Sequence, residues 1–295
     1  MTDYLYPRSI TEAVDLLADH GGRARIIAGG TDLLPELQQG KLNPRALIDI
    51  TRIPECQQID IGEAYIKIGA GVTFTRLKEE DYFQQYIPAV VDAARAVGAG
   101  AIQRAATWAG NLVQAMPAAD GAILALALEA EVHLQDENSE RWIPVEEIFI
   151  GPGISAVDPR EQLITRIRFP TIDAGHRCGT AWKRVGRRQA LVLPILNCAV
   201  KIQLTDHQDQ PRIKEARIAL GPAAPCPFLA RETALHLKGK LPSSGTFLAA
   251  ADFVQQEVQP RTSPLRASRE YRQSLSHVLV AEALEEAVRR AKRVQ

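Results

Sequence analysis

The chain has 295 residues, 46% of them hydrophobic, and its 35 basic side chains balance 35 acidic ones. That length allows a sizeable core and suggests two domains, and a net charge of zero removes any electrostatic reason to expect nucleic acid or an anionic membrane as the main partner. The longest apolar runs, Ala122 to Leu128 and Leu191 to Leu196, are far too short to cross a bilayer, and Met1-Thr-Asp-Tyr4 lacks the basic segment and apolar core of a secretion signal, so we expect a cytoplasmic protein without membrane insertion.

In chain order, Ser9-Ile-Thr-Glu12 has capping-box spacing, and Ile10, Ala13, Val14 and Leu17 behind it share one helical face before Gly21-Gly22. A strand over Arg25 to Ala28, a short helix over Asp32 to Gln39 and a strand over Ala46 to Ile50 read as a small parallel α/β unit. From about Ile59 the rhythm changes. Gln58 to Ile68 alternates like a β-hairpin, Thr73 and Thr75 are placed to cap a helix through Leu77, and Pro88 to Val97 reads as a second helix. Pro117 is suited to the first turn of a helix, where no N–H partner is needed, and Ala118 to Leu128 behind it is apolar almost all round. Glu131 to Gln135 and Arg141 to Val145 form another hairpin, and Gln162 to Phe169 alternates like an antiparallel strand.

Pro170 to Gly175 is the linker candidate. Beyond it, strands are expected over Thr180 to Val185, Ala190 to Leu204 and Glu215 to Leu220, with helices over Thr246 to Val258 and Ser268 to Ala291. The last helix places Tyr271, Leu275, Val278, Leu279 and Ala283 on one stripe.

Several familiar devices are missing: the Gly-x-Gly-x-x-Gly of a Rossmann fold, the Gly-x-x-x-x-Gly-Lys of a P-loop and the Gly-x-Ser-x-Gly elbow. Cys56, Cys178, Cys198 and Cys226 are scattered, without a Cys-x-x-Cys, which argues against a zinc or iron–sulfur site on this chain and fits buried thiols in a reducing compartment. His20, His133, His176, His207, His236 and His277 never form a ligand pair, so core or surface roles are expected and no metal site is assigned.

Two stretches carry chemistry. Ile26-Ile-Ala-Gly-Gly-Thr-Asp-Leu-Leu34 runs from an apolar strand through paired glycines into a helix start, and Thr107-Trp-Ala-Gly-Asn-Leu-Val-Gln-Ala-Met-Pro-Ala-Ala-Asp120 reads as a second strand-to-loop-to-helix transition with no obvious packing role. Glycine permits backbone angles that turn successive N–H groups toward one concave spot, and a helix start adds unpaired donors and a positive dipole end. One such spot attracts a phosphate. Two of them could hold the two phosphates of a dinucleotide without an arginine.

These loops resemble those of the FAD-binding subunit of the molybdenum hydroxylases, the family of xanthine dehydrogenase and carbon monoxide dehydrogenase medium subunits. Ala28 to Leu34 matches the family's first loop at every position; Thr107, Gly110, Asn111, Ala115, Pro117, Ala118, Ala119 and Asp120 match its second. Phe149-Ile-Gly-Pro-Gly153, the Gln162 to Pro170 strand, Lys183 with Gly186-Arg-Arg188, and Tyr271-Arg272 with Leu279 to Ala287 follow in the family's order, so the likeness spans essentially the full chain.

The resemblance implies an α+β chain. A two-subdomain FAD-binding domain of PCMH/VAO type over 1–172 (a small parallel α/β unit to about 55, then an antiparallel sheet with helices) is followed by a C-terminal α+β domain over 176–290 with a three-stranded antiparallel sheet and helices. It implies non-covalent FAD, with Ile26, Ile27, Ala28, Gly29, Gly30, Thr31, Asp32 and Leu33 around the pyrophosphate and ribityl region and Thr107, Trp108, Ala109, Gly110 and Asn111 closing the other side. Asp120 would accept hydrogen bonds from the adenosine sugar, Ile164 would pack by its backbone near the flavin, and Lys183 would stand close to the ring system, where a cation stabilises a reduced, anionic flavin.

The partners implied are a molybdopterin-binding large subunit carrying the molybdenum cofactor and a small subunit carrying 2Fe-2S clusters, with NAD as one acceptor. Two departures stand out. Trp108 and Ala109 replace an aliphatic residue and the family's first glycine, and Gln189 to Pro194 lacks the Asp or Tyr of some relatives. Besides the electron-transfer subunit, a stand-alone flavin oxidoreductase and a non-enzymatic nucleotide-binding module are the readings to separate.

Overall fold

A computed structural model describes residues 2–292 apart from 174, 176, 189–190 and 206–209. His176, His207 and the Ala190 start of one expected strand lie outside the described residues. In chain order the elements are β1 (Asp3–Leu5), α1 (Ile10–Asp19), β2 (Ala24–Ile27), α2 (Leu33–Gln38), β3 (Ala46–Asp49), β4 (Ile59–Ile61), β5 (Tyr65–Gly69), α3 (Phe74–Glu79), α4 (Asp81–Tyr86), α5 (Pro88–Ala96), α6 (Gly100–Ala105), α7 (Trp108–Val113) and α8 (Asp120–Ala127). They continue with β6 (Glu131–Gln135), β7 (Glu140–Pro144), β8 (Phe149–Gly151), β9 (Ile154–Ser155), β10 (Leu163–Pro170), β11 (Cys178–Val185), β12 (Leu196–Leu204), β13 (Ile213–Gly221), β14 (Phe228–Leu229), α9 (Arg231–Leu237), α10 (Ser244–Glu257) and α11 (Arg269–Ala291). Two compact units form: Met1–Arg76, Ala99–Ala115 and Glu129–Thr171 make the first, and Leu77–Gly98, Met116–Leu128 and Ile172–Gln295 the second.

In the first unit a parallel sheet of order β1-β3-β2 carries the expected strand–helix–strand unit, with Ile26 opposite Ile48. β1 went unanticipated because three residues are too few to show a period. The Ser9 hydroxyl caps α1 by accepting from the Glu12 N–H at 3.1 Å, and Glu12 reaches back to the Arg8 N–H at 2.6 Å, one residue earlier than the standard box. Ala13, Val14 and Leu17 are buried.

The second sheet of this unit is antiparallel, order β4-β5-β10-β6-β7, and contains both expected hairpins. Apolar residues such as Ile66, Ile68, Val132, Ile167 and Phe169 are buried. Arg168 lies between the rings of Tyr65 and Trp142, 4.6 and 4.1 Å from their centroids, and pairs with Glu131 at 2.6 Å.

The second unit is built on one antiparallel sheet, order β11-β12-β13-β14: the three expected strands plus a two-residue edge strand. Residues 191–195 before β12 pair with no strand, and Pro194 among them has no N–H to give a ladder. Side chains alternate across this sheet. Ala181, Cys198, Val200, Ile202, Ile218 and Leu220 join Phe247, Ala250, Val254, Leu279, Val280, Ala283 and Leu284 of α10 and α11 in one core. A Cβ on Gly179 would stand 2.0 Å from the Ala287 carbonyl oxygen, so that glycine lets α11 sit directly on β11.

The other sheet face takes α5 and α8. All eight residues of α8 are buried, as its all-round apolar character requires, and this packing is why segments 77–98 and 116–128 belong to the second unit. Pro117 does not start that helix: Ala119 is its N-cap and Asp120 its first residue.

The α11 stripe is rotated from the expected one. Tyr271 and Val278 are exposed, while Arg272, Ser276, Leu279, Val280, Ala283, Leu284 and Ala287 are buried. Two polar residues can face inward because their groups find carbonyls: Arg272 donates to Arg261 O at 3.0 Å and Ser276 to Gln273 O at 2.7 Å.

Candidate functional site: a glycine cradle and a buried carboxylate

β2 ends at the buried Ile27 and delivers Ala28, Gly29, Gly30 and Thr31, all half-buried, to the N-terminus of α2; Ile26 and Leu33 are half-buried and Asp32 is exposed. Gly30 takes φ +64°, a left-handed conformation open chiefly to glycine, and its carbonyl accepts from the Leu34 N–H at 2.9 Å. Among the described residues, the N–H groups of Gly29, Gly30, Thr31 and Asp32 have no hydrogen-bond acceptor. Four consecutive donors left open at a helix start are the kind of set that can bind an anion.

Gly29 fixes where that cradle stands. A Cβ there would lie 1.9 Å from the Ala105 carbonyl oxygen and 2.9 Å from the Ala106 nitrogen, so the first loop rests on the backbone leading into Thr107. The two loops singled out in the sequence therefore adjoin within the first unit. A third strand of chain braces them: Phe74 N–H donates to Ala106 O at 3.1 Å, Trp108 N–H donates to Val72 O at 3.3 Å, and Thr73 pairs with Thr107.

The second loop differs in form from its expected strand-to-helix transition. It joins two helices, α6 and α7, with Thr107 as N-cap accepting from the Gly110 N–H at 3.1 Å. It also has a packing role that the sequence hid, because Trp108 is fully buried, 5.9 Å centroid to centroid from Phe169, and Ala109 is buried beside it. Both residues are buried backbone and all, whereas Gly110 is exposed. Asn111 Oδ1 and Thr75 Oγ1 are buried polar atoms with no partner among the described residues, which a bound polar ligand would satisfy. Open N–H donors, glycines that admit close approach and orphaned side-chain acceptors together fit a diphosphate-bearing cofactor.

Ile164 lies in β10 of the same unit, buried opposite Leu134, at a bulge that displaces Thr165 from the ladder. Asp120 and Lys183 belong to the second unit and do not share a sheet face. Lys183 is half-buried in register with Cys198, on the face turned toward α10 and α11. Its neighbour Arg184 is on the opposite face with Asn197, and these two meet Asp120.

Asn197 Nδ2 donates to Asp120 Oδ1 at 2.6 Å, and Arg184 Nε stands 3.7 Å from the same oxygen. Burial pushes the Asp120 carboxyl up to about 6, against the opposing pull of Arg184 and of the Asn197 hydrogen bond. Neither Arg184 nor Asn197 was singled out from the sequence. The available signal was Asn197 itself, a lone polar residue in the run Leu196-Asn-Cys-Ala-Val200.

An α+β chain with a glycine cradle of open N–H groups beside a braced N-cap is a dinucleotide-binding protein outside the Rossmann and P-loop classes. Residues 1–172 match the family model described as the FAD binding domain in molybdopterin dehydrogenase, and residues 181–287 match the CO dehydrogenase flavoprotein C-terminal domain. The xanthine dehydrogenase FAD-binding subunit of Escherichia coli O157:H7 is 29% identical over 281 residues, 95% of this chain and 94% of that one. The 6-hydroxypseudooxynicotine dehydrogenase complex subunit alpha of Paenarthrobacter nicotinovorans is 30% identical over 290 residues, 98% of this chain and 95% of that one. In a solved structure of carbon monoxide dehydrogenase from Hydrogenophaga pseudoflava, one chain superposes with a TM-score of 0.88 at 28% identity, covering 98% of both chains. The chain belongs to this family: it is a FAD-binding medium subunit of the molybdenum hydroxylase class, and thus an oxidoreductase component. Among the described residues, no helix is long and apolar enough to cross a membrane.

Proposed function

We propose that this chain is the electron-transfer flavoprotein of a cytoplasmic multi-subunit dehydrogenase. It would bind FAD non-covalently through residues 26–33 and 107–111, with Asp120 accepting from the adenosine sugar and Ile164 and Lys183 near the ring system. The observation that carries this reading is the contact of Gly29 with Ala105 and Ala106, which sets the open N–H groups of the first loop beside the second. When bound, the flavin supplies the ability to accept electrons singly and release them as a pair, here from 2Fe-2S clusters on a small partner subunit to NAD or another acceptor.

What the chain contributes is placement. The open N–H groups of Gly29 to Asp32 would hold the pyrophosphate and Thr107 to Asn111 would close its other side, while the Trp108 side chain anchors that second loop in the core. Substrate oxidation belongs to a molybdopterin-binding large subunit.

Purification of the native assembly tests the reading. A yellow complex containing this chain, a cluster-bearing chain and a molybdenum-bearing chain, whose flavin is reduced by substrate and reoxidised by NAD or another acceptor, is the expected result. A lone active monomer would favour the stand-alone flavin oxidoreductase instead.

A further inference from the structure

Leu265, 82% exposed, is the most exposed large hydrophobic side chain among the described residues. The turn that presents it is closed by its own backbone. Ser263 N–H donates to Ala267 O at 2.9 Å, and the N–H groups of Arg266 and Ala267 return to Ser263 O at 3.0 and 3.1 Å. Arg269 N–H donates to Thr262 Oγ1 at 3.0 Å, and the Ser268 hydroxyl caps α11 by accepting from Tyr271 N–H at 3.1 Å, so turn and helix start are tied together. A single exposed leucine needs no explanation. Its surroundings supply one.

Four arginines, Arg261, Arg266, Arg269 and Arg272, fall between residues 261 and 272 of a chain whose net charge is zero. Among the described residues, none of them forms an ion pair. Arg272 is 2% exposed, and its Nε is buried without a hydrogen-bond partner. Burial pushes its guanidinium below the usual range, and Arg266 and Arg261 push the same way. The one carboxylate of the stretch, Glu270, is engaged by its own N–H and by the Ser268 hydroxyl. Like charges gathered around a buried cation repel one another in the free chain, and carboxylates brought from outside relieve that repulsion.

We propose that the turn 262–267 and the first turn of α11 form the docking surface for a partner subunit that presents an apolar pocket to Leu265 and carboxylates to Arg261, Arg266 and Arg269. An apolar anchor ringed by arginines, with Tyr271 exposed beside them in sequence, has the composition of an interface centre. The inference rests on the reading of this chain as one subunit of a multi-subunit dehydrogenase, and it adds the face by which the chain joins.

The test is co-expression of the full chain with its large and small partner subunits, identified by their molybdenum and iron, for the native sequence, Leu265→Asp, Arg266→Glu and Arg266→Lys. Association with a partner is expected to weaken about tenfold or more in Leu265→Asp and Arg266→Glu and to be largely kept in Arg266→Lys, while added salt weakens the native assembly. In the isolated chain, flavin content and melting temperature should not fall, because both acidic substitutions place a negative charge among like positive ones. Native-strength assembly in both acidic variants overturns the proposal, as does loss of assembly only together with flavin and melting temperature. A native chain that dimerises alone, and that Leu265→Asp makes monomeric, would give the surface to a second copy and overturn it too. If Arg266→Glu does not fold, Leu265→Asp, at a solvent-exposed position, decides between the same outcomes. Failure of the native chain to assemble with any partner would instead sink the multi-subunit reading, and this surface with it.

Discussion

Asn197 Nδ2 lies 2.6 Å from Asp120 Oδ1, joining an inner strand of the C-terminal sheet to the first residue of an entirely buried helix. The Asp120 carboxyl is nonetheless raised to about 6, because burial outweighs both the amide and the guanidinium. A raised acid binds its proton more tightly in the folded than in the unfolded chain, so this group's contribution to stability falls as pH rises from about 4 to about 6. The difference corresponds to about 2–3 kcal/mol across that window. In FAD-free protein, Asp120→Asn should flatten the fall in Tm between pH 4 and pH 7 relative to the native chain. Parallel Tm profiles for the two proteins would contradict this account of Asp120.

Gly29→Ala puts a Cβ 1.9 Å from a carbonyl oxygen, where neither partner is a flexible side chain. The backbone must move, at a cost of about 1–3 kcal/mol. The larger consequence is functional: the loop is levered away from Thr107, and FAD retention should fall at least tenfold. Equilibrium titration beside the melting curve measures both effects.

Trp108→Leu tests whether the second loop acts through its backbone. The side chain is fully buried against Phe169, and its truncation should lower stability by up to about 3 kcal/mol. At a temperature where the variant is folded, FAD affinity should stay within a few-fold of the native chain. A selective loss of affinity in a normally folded variant would show that the indole itself contacts the ligand.

Arg290 ties α11 to the rest of its unit: Nη2 meets Asp92 at 3.0 Å, Nη1 donates to Thr180 O at 3.0 Å, and Nε meets Glu286 at 2.6 Å. Arg290→Met should cost about 1–3 kcal/mol by denaturant unfolding, since it strips the carbonyl of the buried Thr180 and the half-buried Asp92 carboxylate of their donor. Flavin content should be unaffected.

Much of this was legible before any coordinates. The glycine pair, the capping box at Ser9 and the alternation through β4–β5, β6–β7 and β10 are local signals, and local signals survive because the backbone imposes them. What was missed depends on partners far along the chain. Nothing near Trp108 announces that it meets Phe169, nothing near Arg272 announces the Arg261 carbonyl that lets it turn inward, and nothing near Asp120 announces its Asn197 partner 77 residues on. Lys183 and Arg184 are adjacent basic residues in one strand, and only sheet register shows that the second, not the first, faces Asp120.

The most direct test of the cradle is the flavin content of the full chain purified with its partners, measured by FAD released on denaturation, with Gly29→Ala alongside. An equimolar yield of FAD from the native chain, largely lost in Gly29→Ala, is expected. A colourless native chain that cannot be reconstituted with FAD would contradict the account.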